Sequence, residues 1–453
     1  MTTIWARQAL LADGWARDVT VRLAGDRIAA VSAGTVPEAT VRRVGILLPA
    51  PANLHSHGFQ RAMAGLTEHR GPDPRDSFWT WRAQMYAFLD RLTPEDVEAI
   101  TAMAFLEMAE AGYAAVAEFH YLHHAPGGRP YGDLAEMSAR VAAAAGAVGI
   151  GLTLLPVLYM QGGLDGRALV AGQDRFGNDP DRFARLVEGA EAAVRGLPAD
   201  TLVGVAPHSL RAVTPEALAG AAGLRPAAPF HMHLAEQVAE VEQVQAHLGA
   251  RPVEWLLQNH AVDGRWCLIH CTQMERHETL GLAASGAVAG LCPITESSLG
   301  DGIFDAVAFA AAGGRWGVGS DSNIRVALSE ELRTLDYSQR LGARSRAALA
   351  TADRSTGRVL LQCAAEGGAR AAGRAAGTIE VGRLADLVAL DDDHPDMAGR
   401  TGDLALDTWI FARDDRLVQE VWAAGRHVVR GGRHPARERI EAGFRAAMTR
   451  LLD

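Results

Sequence analysis

Apolar residues along this chain follow two rhythms, and their alternation predicts the architecture. Short runs rich in branched side chains recur at 44–54, 114–121, 149–159, 202–208, 229–234, 266–271, 287–292 and 316–321. Each has the length and composition of a buried strand. Between them apolar positions return at helical spacing. Thr93-Pro94-Glu95 opens one such stretch, which runs to Ala111, and Thr214-Pro215-Glu216 opens another. A threonine cap, a proline at the first helical position and an acid in the first turn mark a helix start. Eight strand–helix units predict an α/β chain folded as a (β/α)8 TIM barrel. A doubly wound open sheet is the alternative. The barrel is favoured because the residues able to do chemistry all close strand runs, where barrel sites are built.

The two ends of the chain read differently. Residues 3–11, 19–23 and 27–31 are β-rich, with turns at Asp13-Gly14 and Ala24-Gly25-Asp26. Residues 377–432 have the same character. Segments 1–47 and 377–432 are therefore expected to form a small composite β-sandwich domain beside a barrel of residues 48–376. Residues 433–453 read as a terminal amphipathic helix, and the Ala/Gly/Arg-rich stretch 341–376 as helical.

Composition narrows the function. The chain has 453 residues, 48% of them hydrophobic, enough for a large core. It has no apolar run of membrane-spanning length and no signal-peptide layout at its start, so no membrane partner and a cytoplasmic location are expected. A net charge of −10 argues against a nucleic-acid partner. Cys267, Cys271, Cys292 and Cys363 form no C-x-x-C pair, which fits a reducing compartment. All 44 basic residues are arginine. Without lysine, no Schiff base, no P-loop lysine and no carboxylated lysine bridging two metals can form, so one metal is the economical reading.

The chemistry gathers at strand ends. His55 and His57 stand two apart at the end of the first run, an arrangement that points both imidazoles the same way. A catalytic zinc takes three or four nitrogen and oxygen ligands and keeps a position open for water. His55, His57, His233 and Asp321 are the expected set, holding one Zn2+ per chain. Glu236, three residues beyond His233, is placed to move a proton between water and a leaving nitrogen. His270 is expected to orient water or polarise the electrophile, and Asp321 to accept a proton as well as bind metal. His231 is expected on the opposite face from His233, towards the helices. His120, His123 and His124 are expected to be solvated in a loop, and His260, His277 and His394 to lie on the surface.

These residues resemble the amidohydrolase superfamily, with H-x-H after strand one, H-x-x-E at strand five, histidine at strand six and aspartate at strand eight. The stretch from Gly377 to Leu390 resembles that family's return to its β domain. The pattern is similar to the aminohydrolases that hold one zinc and deaminate amidine-like carbons. Three local words, at 53–61, 77–82 and 206–211, resemble the formimidoylglutamate deiminases of histidine degradation. Those enzymes hydrolyse N-formimino-L-glutamate to N-formyl-L-glutamate and ammonia. The resemblance implies that Gln60, Arg82, Tyr121, His208 and Arg211 line the substrate pocket. Such a substrate is a small dicarboxylate carrying a cationic amidine. Its carboxylates ask for arginine forks, and Arg82 and Arg211 are the expected pair. A homodimer is also expected. Two alternatives stand beside this reading: an aminohydrolase of a purine, pterin or triazine heterocycle on the same fold, and a metal-free scaffold derived from such a barrel.

Overall fold

The computed structural model describes residues 2–68, 81, 85–86, 88–170 and 172–453. The two early turns fold the start of the chain into a meander of β1 (Thr2–Leu11), β2 (Gly14–Ala24) and β3 (Arg27–Ser32), and β4 (Arg42–Pro49) returns parallel to β1. The apolar run expected as one strand over 44–54 is in fact two strands in two sheets. Proline lacks an N–H for the ladder, and the run breaks at Pro49-Ala50-Pro51 between β4 and β5 (Ala52–Ser56).

The barrel follows: β6 (Ala115–His120), β7 (Gly151–Leu158), β8 (Leu202–Val203), β9 (Ala206–Pro207), β10 (Phe230–Leu234), β11 (Trp266–His270), β12 (Val288–Leu291) and β13 (Arg315–Val318). All these pairings are parallel, with helices between them. The fourth strand is split into β8 and β9 at Gly204, where a Cβ would lie 2.5 Å from Leu155 and 2.6 Å from the Pro229 carbonyl. Two seams close the ring. Val205 bridges Phe230, and Ser56 bridges Asp321. The expected helix after Thr93 spans Pro94–Ala111 and starts with a capping box between Thr93 and Asp96.

Late strands β14 (Leu387–Leu390), β15 (Val418–Ala423) and β16 (Arg426–Arg430) join the first sheet in the order β16-β15-β14-β4-β1-β2-β3. The edge strand β3 also hydrogen-bonds to Arg383, so the sheet wraps round its own core of Ile4, Val21, Ile28, Leu387 and Trp422. The barrel's outer face packs on helices through residues such as Leu152, Met232 and Leu268, while Leu54, Cys267, Ile269 and Val288 fill its lumen. The helix Thr356–Ala371 covers the end of the barrel at which the strands begin. Its glycines meet backbone there, Gly367 against Trp316 and Gly368 against Ala52. Loops leaving the opposite end carry the site.

Two expectations about histidines are corrected. His231 does not face the helices that surround the barrel. Residues two apart on a strand share a face, so it points inward with His233, and its Nε2 donates to the Ala371 carbonyl at the barrel floor, 2.8 Å away. His120, His123 and His124 are buried rather than solvated. Their loop is covered by residues around Arg175, whose carbonyl accepts from the backbone N–H of both His123 and His124.

Candidate active site

Strand ends and their backbone set the geometry. Asp321 N–H donates to the His55 carbonyl and His57 N–H to the Asp321 carbonyl, each at 2.9 Å. The seam that closes the barrel therefore also places Asp321 beside both histidines. Their Nε2 atoms lie 3.3 Å and 3.1 Å from Asp321 Oδ1. Gly319 allows this approach, because a Cβ there would sit 2.6 Å from the His55 carbonyl oxygen. A buried amide network locks the same seam. Asn53 Oδ1 accepts from Ser320 N–H, Ser320 Oγ donates to Asn323 Oδ1, and Asn323 Nδ2 donates to the His57 carbonyl. Ala235, His270, Cys271 and Asp321 all have positive φ, between 46° and 70° in the cases of His270 and Asp321. Left-handed backbone costs a non-glycine residue on the order of 1–3 kcal/mol and tends to collect at functional sites. Here it turns side chains at three strand ends into one space.

The ligand atoms of His55, His57, His233 and Asp321 lie within 4.8 Å of one another, and all four residues are buried. His57 Nδ1 donates to the Phe119 carbonyl at 2.8 Å and His233 Nδ1 to the His208 carbonyl at 3.1 Å. A carbonyl can only accept, so each ring carries a hydrogen on Nδ1, which leaves Nε2 as the atom that can bind a cation. His55 Nε2 comes within 3.1 Å of His233 Nε2. Burial pushes His55 down to about 3 and holds His233 well below its ordinary value, so both rings are neutral. Burial alone would raise Asp321, but His55 and His57 keep it well below the usual carboxylate range. Three imidazoles and one carboxylate converging in a dry space are the donor set of a divalent cation of the zinc class, and the residues fit it.

Glu236 lies next to this cluster, raised by burial. Its backbone N–H and that of Ala235 donate to the buried carboxylate of Glu240, and Thr272 Oγ1 donates to the Glu236 carbonyl at 2.7 Å. His270 Nδ1 is 3.3 Å from Glu296 Oε1. Burial works against a charged His270, but Glu236, Glu296 and Asp321 override it and push it up to about 10. Asp301 is pushed up to about 9, first by burial and then by Glu236.

A pocket opens over the cluster, and its walls include Gln60, Tyr121, His208 and Arg211 together with His57, His233, Glu236, His270 and Asp321. The structure thus brings every described residue of the expected set to one place. Arg82 lies outside the described residues. Gln60 Nε2 donates to the Tyr121 hydroxyl, while Gln60 Oε1 is buried with no hydrogen-bond partner among the described residues. Trp81 lines the wall beside them, and Met85, Tyr86, Tyr159, Phe176 and Leu299, which were not expected, complete it. The supporting residues Asn53, Glu240, Glu296 and Asn323 were missed as well. A signal existed for some of them: Asn53 stands two residues before His55 and Asn323 two after Asp321, polar positions in otherwise apolar strand ends.

The known proteins similar to this chain point to one family. Residues 46–428 match the amidohydrolase family, and residues 1–45 match the N-terminal domain of formimidoylglutamate deiminase HutF. A formimidoylglutamate deiminase of Pseudomonas aeruginosa is 48% identical, with 100% of both chains covered. The crystal structure of an amidohydrolase from Brucella melitensis superposes with a TM-score of 0.96 at 49% identity, again over 100% of both chains. An adenosine deaminase from Xanthomonas campestris, solved with bound zinc, shares the fold at a TM-score of 0.83 and 22% identity, covering 100% of this chain and 98% of its own. The chain belongs to the amidohydrolase family, and its first 45 residues are the N-terminal domain that goes with the formimidoylglutamate deiminases within it.

Proposed function

We propose that the protein hydrolyses N-formimino-L-glutamate to N-formyl-L-glutamate and ammonia, with one zinc ion held by His55, His57, His233 and Asp321. The observation that carries this reading is full-length identity of 48% to a formimidoylglutamate deiminase. Arg211 on the wall of the same pocket as Glu236 adds a chemical reason, since a dicarboxylate needs a fixed cation that a neutral heterocycle does not.

Zinc would supply a Lewis acid that makes water acidic enough to act as a nucleophile near neutral pH. Asp321 is ionised and can take a proton from the attacking water. His270, held from behind by Glu296, orients that water towards the formimino carbon. Glu236 carries a proton to the departing nitrogen, so that ammonia leaves and a formyl group remains. Its raised pKa suits a group that must both accept and donate near neutrality. Arg211 and Arg82 grip the two carboxylates, and Gln60, Tyr121 and His208 shape the wall around them. Gln60 Oε1, buried and unpartnered among the described residues, is an acceptor ready for a substrate N–H.

All four cysteines are free, and among the described residues no helix is long and apolar enough to cross a membrane. We read the enzyme as a cytoplasmic homodimer, the latter checked by sedimentation. The function is tested by ammonia release from formiminoglutamate set against a purine, pterin and triazine panel. The reading expects turnover of formiminoglutamate and a marked loss with analogues lacking either carboxylate. Preference for a neutral heterocycle would leave only the broader aminohydrolase chemistry.

A further inference from the structure

Beside the four-ligand cluster stands a second group of donors that the proposed reaction does not explain. Ligand atoms of His270, Cys292 and Asp321 lie within 4.8 Å of one another, all three buried. Cys292 follows β12, and its thiol has no part in the chemistry above. One carboxylate fixes both new donors. Glu296 Oε1 accepts from Cys292 N–H at 2.8 Å and lies 3.3 Å from His270 Nδ1. A buried carboxylate behind a histidine, turning the far ring nitrogen outward, is the usual outer support of a metal-binding imidazole. His55 and His57 approach Asp321 at Oδ1, and the second cluster draws on the same carboxylate. A thiol, an imidazole and a carboxylate together select a soft or borderline divalent ion over magnesium or calcium.

We propose that His270, Cys292 and Asp321 form a second, inhibitory cation position that takes a thiophilic divalent ion, such as cadmium or zinc in excess, and shares Asp321 with the four-ligand site. The inference rests on the proposed one-metal reaction. Occupation breaks the Cys292 S–H bond and forms a sulfur–metal bond. The thiol proton leaves to bulk water, and no electron is transferred. Any proton on the ligating His270 nitrogen leaves in the same way. This position offers three donors against four and borrows Asp321 from the other site, so it fills only after the four-ligand site. Once filled, it withdraws His270 and Asp321 from the reaction, and turnover stops.

The test uses the full chain loaded with one zinc per chain and titrated with cadmium chloride. Three readouts are followed: metals per chain after desalting, cadmium–thiolate charge-transfer absorption, and ammonia release. Wild type should take up one cadmium beside its zinc, gain the thiolate band and lose activity in step with it. Cys292→Ser and Cys292→Ala should start with wild-type activity, show no band from this position and need at least roughly 10–100-fold more cadmium for the same inhibition, the loss that even an outer-shell change brings. Uptake of no second ion by wild type would overturn the proposal. So would a second ion and thiolate band that persist in Cys292→Ala. Ammonia release before cadmium is added is judged separately: its absence would sink the proposed function, whereas its presence without a second ion would sink only this inference.

Discussion

The floor of the pocket and its walls are built by different means. On the floor, His55, His57, His233, His270 and Asp321 sit at the ends of four strands, and backbone hydrogen bonds of the barrel itself place them. The walls come from loops and a 3-10 turn: Gln60 from Gly58–Met63, Arg211 from beyond β9, Tyr159 and Phe176 from the loop after β7. The floor cannot move without opening the barrel, while the walls can be rebuilt with the scaffold unchanged. Reaction chemistry is therefore expected to belong to the floor and substrate choice to the walls, the division that lets one barrel serve many reactions.

Breaking the floor should cost most. Removing the metal with a chelator, or replacing a ligand as in His233→Ala, should abolish ammonia release, and zinc should restore the chelated wild type but not the variant. Recovery of His233→Ala by stoichiometric zinc would remove His233 from the ligand set. Glu236→Gln should keep the metal and the fold and lower kcat by about 10²–10⁴-fold, the usual worth of a general acid–base group. Near-normal turnover in the metal-loaded variant would take Glu236 out of the mechanism.

Changes to the walls should be smaller and should read out in substrate preference. A charged hydrogen bond to a carboxylate is worth about 1.5–3 kcal/mol, so Arg211→Met should lower kcat/KM for formiminoglutamate by roughly one to two orders of magnitude. Its metal content should stay at the wild-type level, as measured by elemental analysis. Arg82→Met should behave alike, and a substrate lacking the matching carboxylate should hardly distinguish either variant from wild type. Tyr121→Phe removes a hydroxyl that meets Gln60 and, at 3.4 Å, Met85 Sδ. The loss of a neutral hydrogen bond, about 0.5–1.5 kcal/mol, predicts less than about a tenfold rise in KM. An effect of Tyr121→Phe on metal retention would blur the floor–wall division.

The same division decides how much could be read from the sequence. Floor residues follow a repeated rule, a polar metal ligand or acid closing an apolar run, and the rule recurs at His55, His233, His270 and Asp321. Two wall residues, Tyr121 and His208, also close apolar runs, but the others obey no such spacing. Tyr86, Tyr159 and Phe176 are ordinary aromatics until the loops fold over the barrel and bring Tyr121 and Phe176 to 4.8 Å. The break between β4 and β5 was hidden because apolar character continues across both sheets, and only Pro49 and Pro51 mark it. His231 shows how a correct period can be misapplied: a spacing of two means one face, and the inward position follows. Burial of His123 and His124 depends on Arg175, more than fifty residues away along the chain. Arg175 Nε also donates to the His124 carbonyl at 2.7 Å, a contact with no local trace in sequence.

The central claim is that one ion on this floor is enough to deiminate formiminoglutamate. Metal-free protein titrated with zinc, with ammonia and N-formylglutamate measured at each step, tests it most directly. The account predicts that both products appear in equal amounts, and that the rate rises in proportion to zinc up to one ion per chain and no further. A rate that keeps climbing to two ions per chain, or a metal-loaded protein that leaves formiminoglutamate intact, would contradict it.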